Sequence, residues 1–175
     1  MKSNIALVGF MGTGKTDVGR LLAERLGKDF IEVDELIEQR AGKTIPEIFQ
    51  QDGEIAFREL EIEATREAAE KKNAVIACGG GVVLNQINIG RLREHSVIVY
   101  LTASSETILQ RTSSDTDERP LLVAEDRASR VEKLLDFRRP FYERAADITV
   151  STSELDVAGV AGQVITRLSE HESND

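Results

Sequence analysis

The residues best suited to chemistry stand near the start of the chain, in Gly9-Phe10-Met11-Gly12-Thr13-Gly14-Lys15-Thr16. They follow an apolar run, Ile5-Ala6-Leu7-Val8, and open a segment of helical periodicity. In that strand–loop–helix setting the pattern G-x-x-x-x-G-K-[ST] is a phosphate-binding loop. Glycines let successive backbone N–H groups curl around a phosphate chain that side chains would block. The helix beginning near Lys15 adds free N–H groups and the positive end of its dipole. Lys15 is then placed to reach the β- and γ-phosphates, and the Thr16 hydroxyl to hold Mg²⁺. The stretch predicts binding of a nucleoside triphosphate.

Further groups follow other apolar runs. Phe30-Ile31-Glu32-Val33-Asp34 reads as a strand ending in a carboxylate, which could face the γ-phosphate and take a proton from an acceptor hydroxyl. The residue type also suits capping the next helix, and the two roles can coexist. Glycines 79–81 follow the run 74–78 and would let a small ligand approach the backbone. Arg58 stands four residues after Glu54 and three before Glu61, a spacing that by itself describes only a helix-surface pair. Arg111, Arg119, Arg138 and Arg139 flank a polar segment. In so acidic a chain, their gathering suits a transition state that spreads negative charge over phosphoryl oxygens.

The elements that must position these groups alternate between strand and helix. Strands are expected at 5–8, 30–34, 74–78, 96–101 and 147–150. Helices are expected at about 15–26, over 34–72 with breaks at Gly42, Pro46 and Asp52-Gly53, and at 105–112. Two more are expected over 125–144, broken at Pro140, and over 157–168. The segment 113–118 predicts a mobile surface loop, and the polar tail 169–175 is expected to fray. Such alternation implies right-handed crossovers and a parallel sheet covered by helices on both sides, an α/β fold. Ligands then bind at the carboxyl ends of the strands, where the phosphate loop, Asp34, glycines 79–81 and Thr102 share one rim.

With 175 residues, 41 % of them hydrophobic and 30 % charged, the chain suits one domain with a full core. The formal net charge of −9 argues against nucleic acid or an anionic membrane as partner. Cys78 is the only cysteine, so no intrachain disulfide forms, which fits a reducing cytoplasm. No signal-peptide pattern opens the chain, and no apolar run approaches the ~20 residues needed to cross a bilayer.

Taken together these pieces resemble the shikimate kinases. The resemblance runs from Ile5 to about Leu168. Its motifs are the loop at 9–16, Val-Asp-Glu-Leu-Ile-Glu at 33–38, Phe-Arg-Glu-Leu-Glu at 57–61 and Cys-Gly-Gly-Gly at 78–81. Arg-Pro-Leu-Leu at 119–122 and Arg-Arg-Pro-Phe-Tyr-Glu at 138–143 complete the set. It implies a three-layer αβα phosphate-loop fold of the nucleoside-monophosphate-kinase type. Such a fold has a five-stranded parallel sheet, a helical substrate-binding insertion at about 34–60 and a lid at about 112–124. It also implies transfer of the γ-phosphoryl of ATP to the 3-hydroxyl of shikimate, with Mg²⁺, by a cytoplasmic monomer on the route to chorismate and aromatic amino acids. On this resemblance Gly12, Thr13, Gly14, Lys15, Thr16 and Asp17 bind ATP, with Arg111 beside adenine and Arg119 as the lid arginine. Lys15, Asp34 and Arg119 are catalytic. Asp34, Arg58, Gly79, Gly80, Gly81 and Arg138 hold shikimate. Arg138 rather than Arg139 fits the spacing Arg-x-Pro-x-Tyr.

Two departures stand out. Glu32 replaces the family's first Asp in Asp-x-Asp, so any support of the metal through water comes from a carboxylate one methylene longer. Asp115, Asp117 and Glu118 crowd the lid with negative charge. Two other readings are a kinase of similar build for another polyol such as gluconate, and a nucleotide-dependent switch without a metabolite acceptor.

Overall fold

The computed structural model describes residues 2–113 and 127–174. Five short strands, β1 (Asn4–Val8), β2 (Asp29–Glu32), β3 (Ala74–Ala77), β4 (Ser96–Thr102) and β5 (Ile148–Ser151), form one sheet in the order β2-β3-β1-β4-β5. Every pairing is parallel, with Ile5 opposite Val75 on one side of β1 and opposite Val97 on the other. Parallel neighbours require crossovers, and helices supply them.

The period of two along β1 sorts the core. Ala6 and Val8 face one layer with Ile76, Ile98, Tyr100 and Tyr142, beneath α2 (Val33–Ala41), α4 (Gly53–Ala69), α5 (Gln86–His95) and α7 (Arg127–Ala145). Ile5 and Leu7 face the other with Val18 and Leu22 of α1 (Lys15–Leu26) and Val160 and Val164 of α8 (Val157–Asn174). Covered on both faces, the central strands carry continuous apolar runs, as Val97-Ile98-Val99-Tyr100-Leu101 of β4 shows.

Several boundaries differ from the sequence-based expectation, each for a local reason. β2 stops at Glu32, and Asp34 lies in the first turn of α2, whose N-cap is Glu32. Pro46 does not break a helix. It sits in the first turn of α3 (Ile45–Gln51), where a missing N–H costs nothing, behind a capping box formed by Thr44 and Glu47. Pro140 lies inside an unbroken α7. β5 begins at Ile148 because the Asp147 side chain accepts from the Ile98 N–H at 2.9 Å and its N–H donates to Ile98 O at 2.8 Å. The tail is helical through Asn174, with Ser169, Ser173 and Asn174 each bonding the carbonyl four residues back. A 3₁₀ turn (Val82–Leu84) and α5 were not foreseen; Asn85 caps α5 through the Ile87 N–H. The remaining helix is α6 (Ser105–Arg111).

Candidate active site

The loop after β1 and the carboxyl ends of β2, β3 and β5 open on one cavity of about 1020 Å³. From β1 the chain enters the phosphate loop, where Gly12 and Gly14 hold φ of 79° and 87°. Those left-handed values turn the backbone into the start of α1 with Gly14 as its N-cap. The Lys15 ammonium donates to Gly9 O at 2.8 Å and Phe10 O at 2.9 Å, folded over the loop that it would share with a phosphate. The buried Thr13 braces the loop from behind, its hydroxyl donating to Phe10 O at 2.8 Å. In the first turn of α1, the Thr16 hydroxyl donates to Glu32 Oε1 at 2.6 Å. A hydroxyl and a carboxylate thus meet at the phosphate end of the cavity, two hard oxygen donors of the kind Mg²⁺ accepts alongside phosphates and water. Among the described residues no group of three or more His, Cys, Asp or Glu is arranged to hold a metal by itself. Asp17 is exposed beside them at the cavity wall.

The acceptor side is built around the turn after β3. A Cβ on Gly79 would stand 2.9 Å from Asp34 Oδ1 and 3.4 Å from Glu61 Oε2, and one on Gly80 would stand 3.2 Å from Arg138 Nη1. A Cβ on Gly81 would collide with the Arg58 guanidinium. Three side-chain-free residues therefore bring a carboxylate and two guanidinium groups around one small space. Phe49 and Phe57, with ring centroids 4.7 Å apart, give it an apolar wall.

Arg58 is more than a surface pair. It does reach the exposed Glu54 at 3.3 Å, but it also donates from Nη1 to Glu61 Oε1 at 3.0 Å, and the Glu61 side chain is only 3 % exposed. Burial pushes the Glu61 carboxyl above the usual range, and the positive charge of Arg58 offsets part of that effect. Arg138 is 3 % exposed, lies 5.9 Å over the Phe10 ring, and leaves its buried Nε without a hydrogen-bond partner among the described residues. A buried cation with an unsatisfied donor at a cavity wall suits an anionic ligand. Arg139 points to solvent and pairs with Asp136 at 3.0 Å. One residue of phase on α7 separates the two arginines.

At the opposite end, Arg111 donates to Gly12 O at 3.2 Å, to Thr152 Oγ1 at 3.0 Å and to Thr152 O at 2.8 Å. It ties the phosphate loop to the end of β5, where Leu155 and Val157 offer an apolar surface in the same cavity. Cys78, buried at the end of β3, has its thiol pushed up to about 12 by burial, so it is an inert packing residue at neutral pH.

The structure thus brings Lys15, Thr16, Glu32, Asp34, Arg58, glycines 79–81, Arg111 and Arg138 to one cavity. Arg119 and the acidic residues Asp115, Asp117 and Glu118 lie outside the described residues, as does most of the expected lid. Sequence reasoning missed the Phe49–Phe57 wall, Thr152 and the burial of Glu61. Nothing in the spacing marks the first two; the third was visible only as a helical neighbour of Arg58.

The family model for shikimate kinase matches residues 11–169. The chain belongs to the shikimate kinase family. Curated shikimate kinases include that of Caldanaerobacter subterraneus subsp. tengcongensis, 50 % identical over 162 residues that cover 93 % of this chain and 94 % of that protein. That of Thermodesulfovibrio yellowstonii is 47 % identical over 162 residues, covering 93 % and 92 %. Among solved structures, a shikimate kinase from Acinetobacter baumannii in complex with shikimate superposes with a TM-score of 0.93 at 38 % identity, covering 97 % of this chain and 94 % of that one. A gluconokinase from Sinorhizobium meliloti superposes with a TM-score of 0.59 at 18 % identity, a likeness of fold alone. The expected α/β fold with a five-stranded parallel sheet therefore holds for this shikimate kinase family member.

Proposed function

We propose that this shikimate kinase family member transfers the γ-phosphoryl group of ATP to the 3-hydroxyl of shikimate, giving shikimate 3-phosphate and ADP. The observation that carries the reading is the convergence of Asp34, Arg58, glycines 79–81 and Arg138 beside the phosphate loop. Arg58 and Arg138 hold the acceptor's carboxylate, for which forked guanidinium donors are well shaped. That anchorage presents a ring hydroxyl to Asp34 and the terminal phosphate. The hydroxyl oxygen bonds to the γ-phosphorus as the bond to the ADP oxygen breaks, and its proton passes to Asp34. Lys15 leaves its resting carbonyls to neutralise the phosphoryl oxygens, aided by the loop N–H groups. Arg111 stacks beside the base, and Arg119 is the further cation assigned to the phosphates.

Thr16 and Glu32 fit Mg²⁺, which when bound neutralises phosphate charge. The longer side chain of Glu32 already reaches the Thr16 hydroxyl, so the extra methylene does not remove a carboxylate from the metal side. The segment 34–60 serves as the acceptor-binding insertion of one catalytic unit, working as a cytoplasmic monomer. Among the described residues no helix is long and apolar enough to cross a membrane.

The test is steady-state release of ADP from MgATP with shikimate, with gluconate and with neither. Release that depends on shikimate is expected. Equal turnover without an acceptor, or a preference for gluconate, would overturn the reading.

A further inference from the structure

The tyrosine that ends the Arg-x-Pro-x-Tyr stretch plays no part in the chemistry above, yet it is the largest fully buried side chain. Tyr142 lies on α7 one turn beyond Arg138 and stacks on Tyr100 of β4, with centroids 5.0 Å apart and planes at 22°. So held, its hydroxyl donates to Gly80 O at 2.6 Å. The acceptor it grips is the carbonyl between two glycines. With no Cβ on either side, that peptide, like the Gly79–Gly80 peptide before it, meets little steric barrier to rotation about its flanking bonds. It is trans, so the orientation of Gly80 C=O also fixes the Gly81 N–H, which points the opposite way. Arg138 crowds Gly80 and Arg58 crowds Gly81, so the same peptide lies between the two cationic groups of the acceptor pocket.

We propose that Tyr142 is a positioning residue for the carboxylate end of the acceptor, its hydroxyl locking the Gly80–Gly81 peptide between Arg58 and Arg138. A carbonyl oxygen free to turn toward a bound carboxylate repels it and competes for the guanidinium donors. Tied to a buried hydroxyl, that oxygen is held against α7 and the turn keeps one shape. The same bond couples the turn to the helix that carries Arg138, so the two halves of the carboxylate site stay in register. The inference rests on the reading of the pocket as a shikimate site.

Tyr142→Phe keeps the ring and its stack on Tyr100 and removes the hydroxyl, with its bond to Gly80 O and its contact with the Arg138 guanidinium. Expected is a rise of about five- to tenfold in KM for shikimate, the size of one net hydrogen bond, with KM for ATP unchanged and kcat within about threefold. Incorporation of 4-aminophenylalanine in place of Tyr142 restores a weaker donor and should give an intermediate KM for shikimate. This second variant decides alone if the first does not fold. Unchanged KM values in the variants, or parallel rises for both substrates, would overturn the proposal. Failure of the underlying reading appears separately, as absence of shikimate-dependent ADP release by the unaltered chain.

Discussion

Asp34 and Arg58 divide two jobs that kinetics can separate. Asp34 stands against Gly79 and faces the space next to the phosphate loop, so its proposed task falls in the transition state. Asp34→Asn preserves the shape and removes the base. We expect kcat to fall by roughly 10²–10⁴-fold, the range for a positioned general base, while ATP binding by calorimetry stays within a few-fold. A kcat within tenfold of the unaltered chain would remove Asp34 from the chemistry. Arg58 acts on the ground state as well, through the acceptor's carboxylate. Arg58→Ala should raise KM for shikimate by about 10–100-fold, the loss of a charged hydrogen bond, and leave KM for ATP unchanged. Part of the rise comes from Glu61, which loses its partner and remains buried beside the anion.

At the scale of elements, helices α2, α4 and α7 bring Asp34, Arg58 and Arg138 to the turns that follow the strands. Gly79 has no positive φ, and its need for glycine is one of space: a methyl there would press on Asp34 at 2.9 Å. Gly79→Ala should therefore lower kcat by about tenfold or more, since a misplacement near 1 Å can cost ~10²-fold. Thermal stability should hardly change, and a loss of several degrees in Tm without a loss in kcat would show the turn to be structural only. The same scale separates what could be read in the sequence from what could not. The phosphate loop was legible because its glycines, lysine and threonine are required by backbone geometry and by charge. The strands were legible because continuous apolar runs suit a sheet covered on both faces. Pro46 and Pro140 misled for opposite reasons. The first occupies a helix's opening turn, where proline is at home, and the second is carried by the packing of α7, whose Leu135, Arg138 and Tyr142 are buried on either side of it. Helix α5, with the polar residues Gln86, Asn88 and Arg91 among its apolar ones, has little periodicity to find. The inward turn of Arg138 beside the outward Arg139 is a matter of helical phase, which motif spacing captured and composition could not.

For the molecule as a whole, Glu61 links the acceptor pocket to stability. An acidic chain of net charge −9 has gathered two guanidinium groups around a small space, and the cost is a carboxylate buried among them to hold Arg58. Burial dominates that carboxyl, so its folded pKa lies above the unfolded value. Below the unfolded value, near pH ~4.3, both states hold the proton and Glu61 exacts no penalty. As pH rises the unfolded chain releases the proton first, the native state binds more protons, and stability falls until the folded carboxyl also ionises. Glu61→Gln mimics the protonated form at every pH and retains an oxygen for Arg58. Its Tm should match the unaltered chain near pH 4 and exceed it by a growing margin toward neutrality. Over the same range KM for shikimate should worsen, because a neutral amide holds Arg58 less firmly. Stability given up for function at one buried group is the physical content of that pair of measurements. Thermal unfolding at several pH values checks it, and a margin that shrinks as pH rises would mean that Arg58 stabilises the Glu61 carboxylate more than burial opposes it.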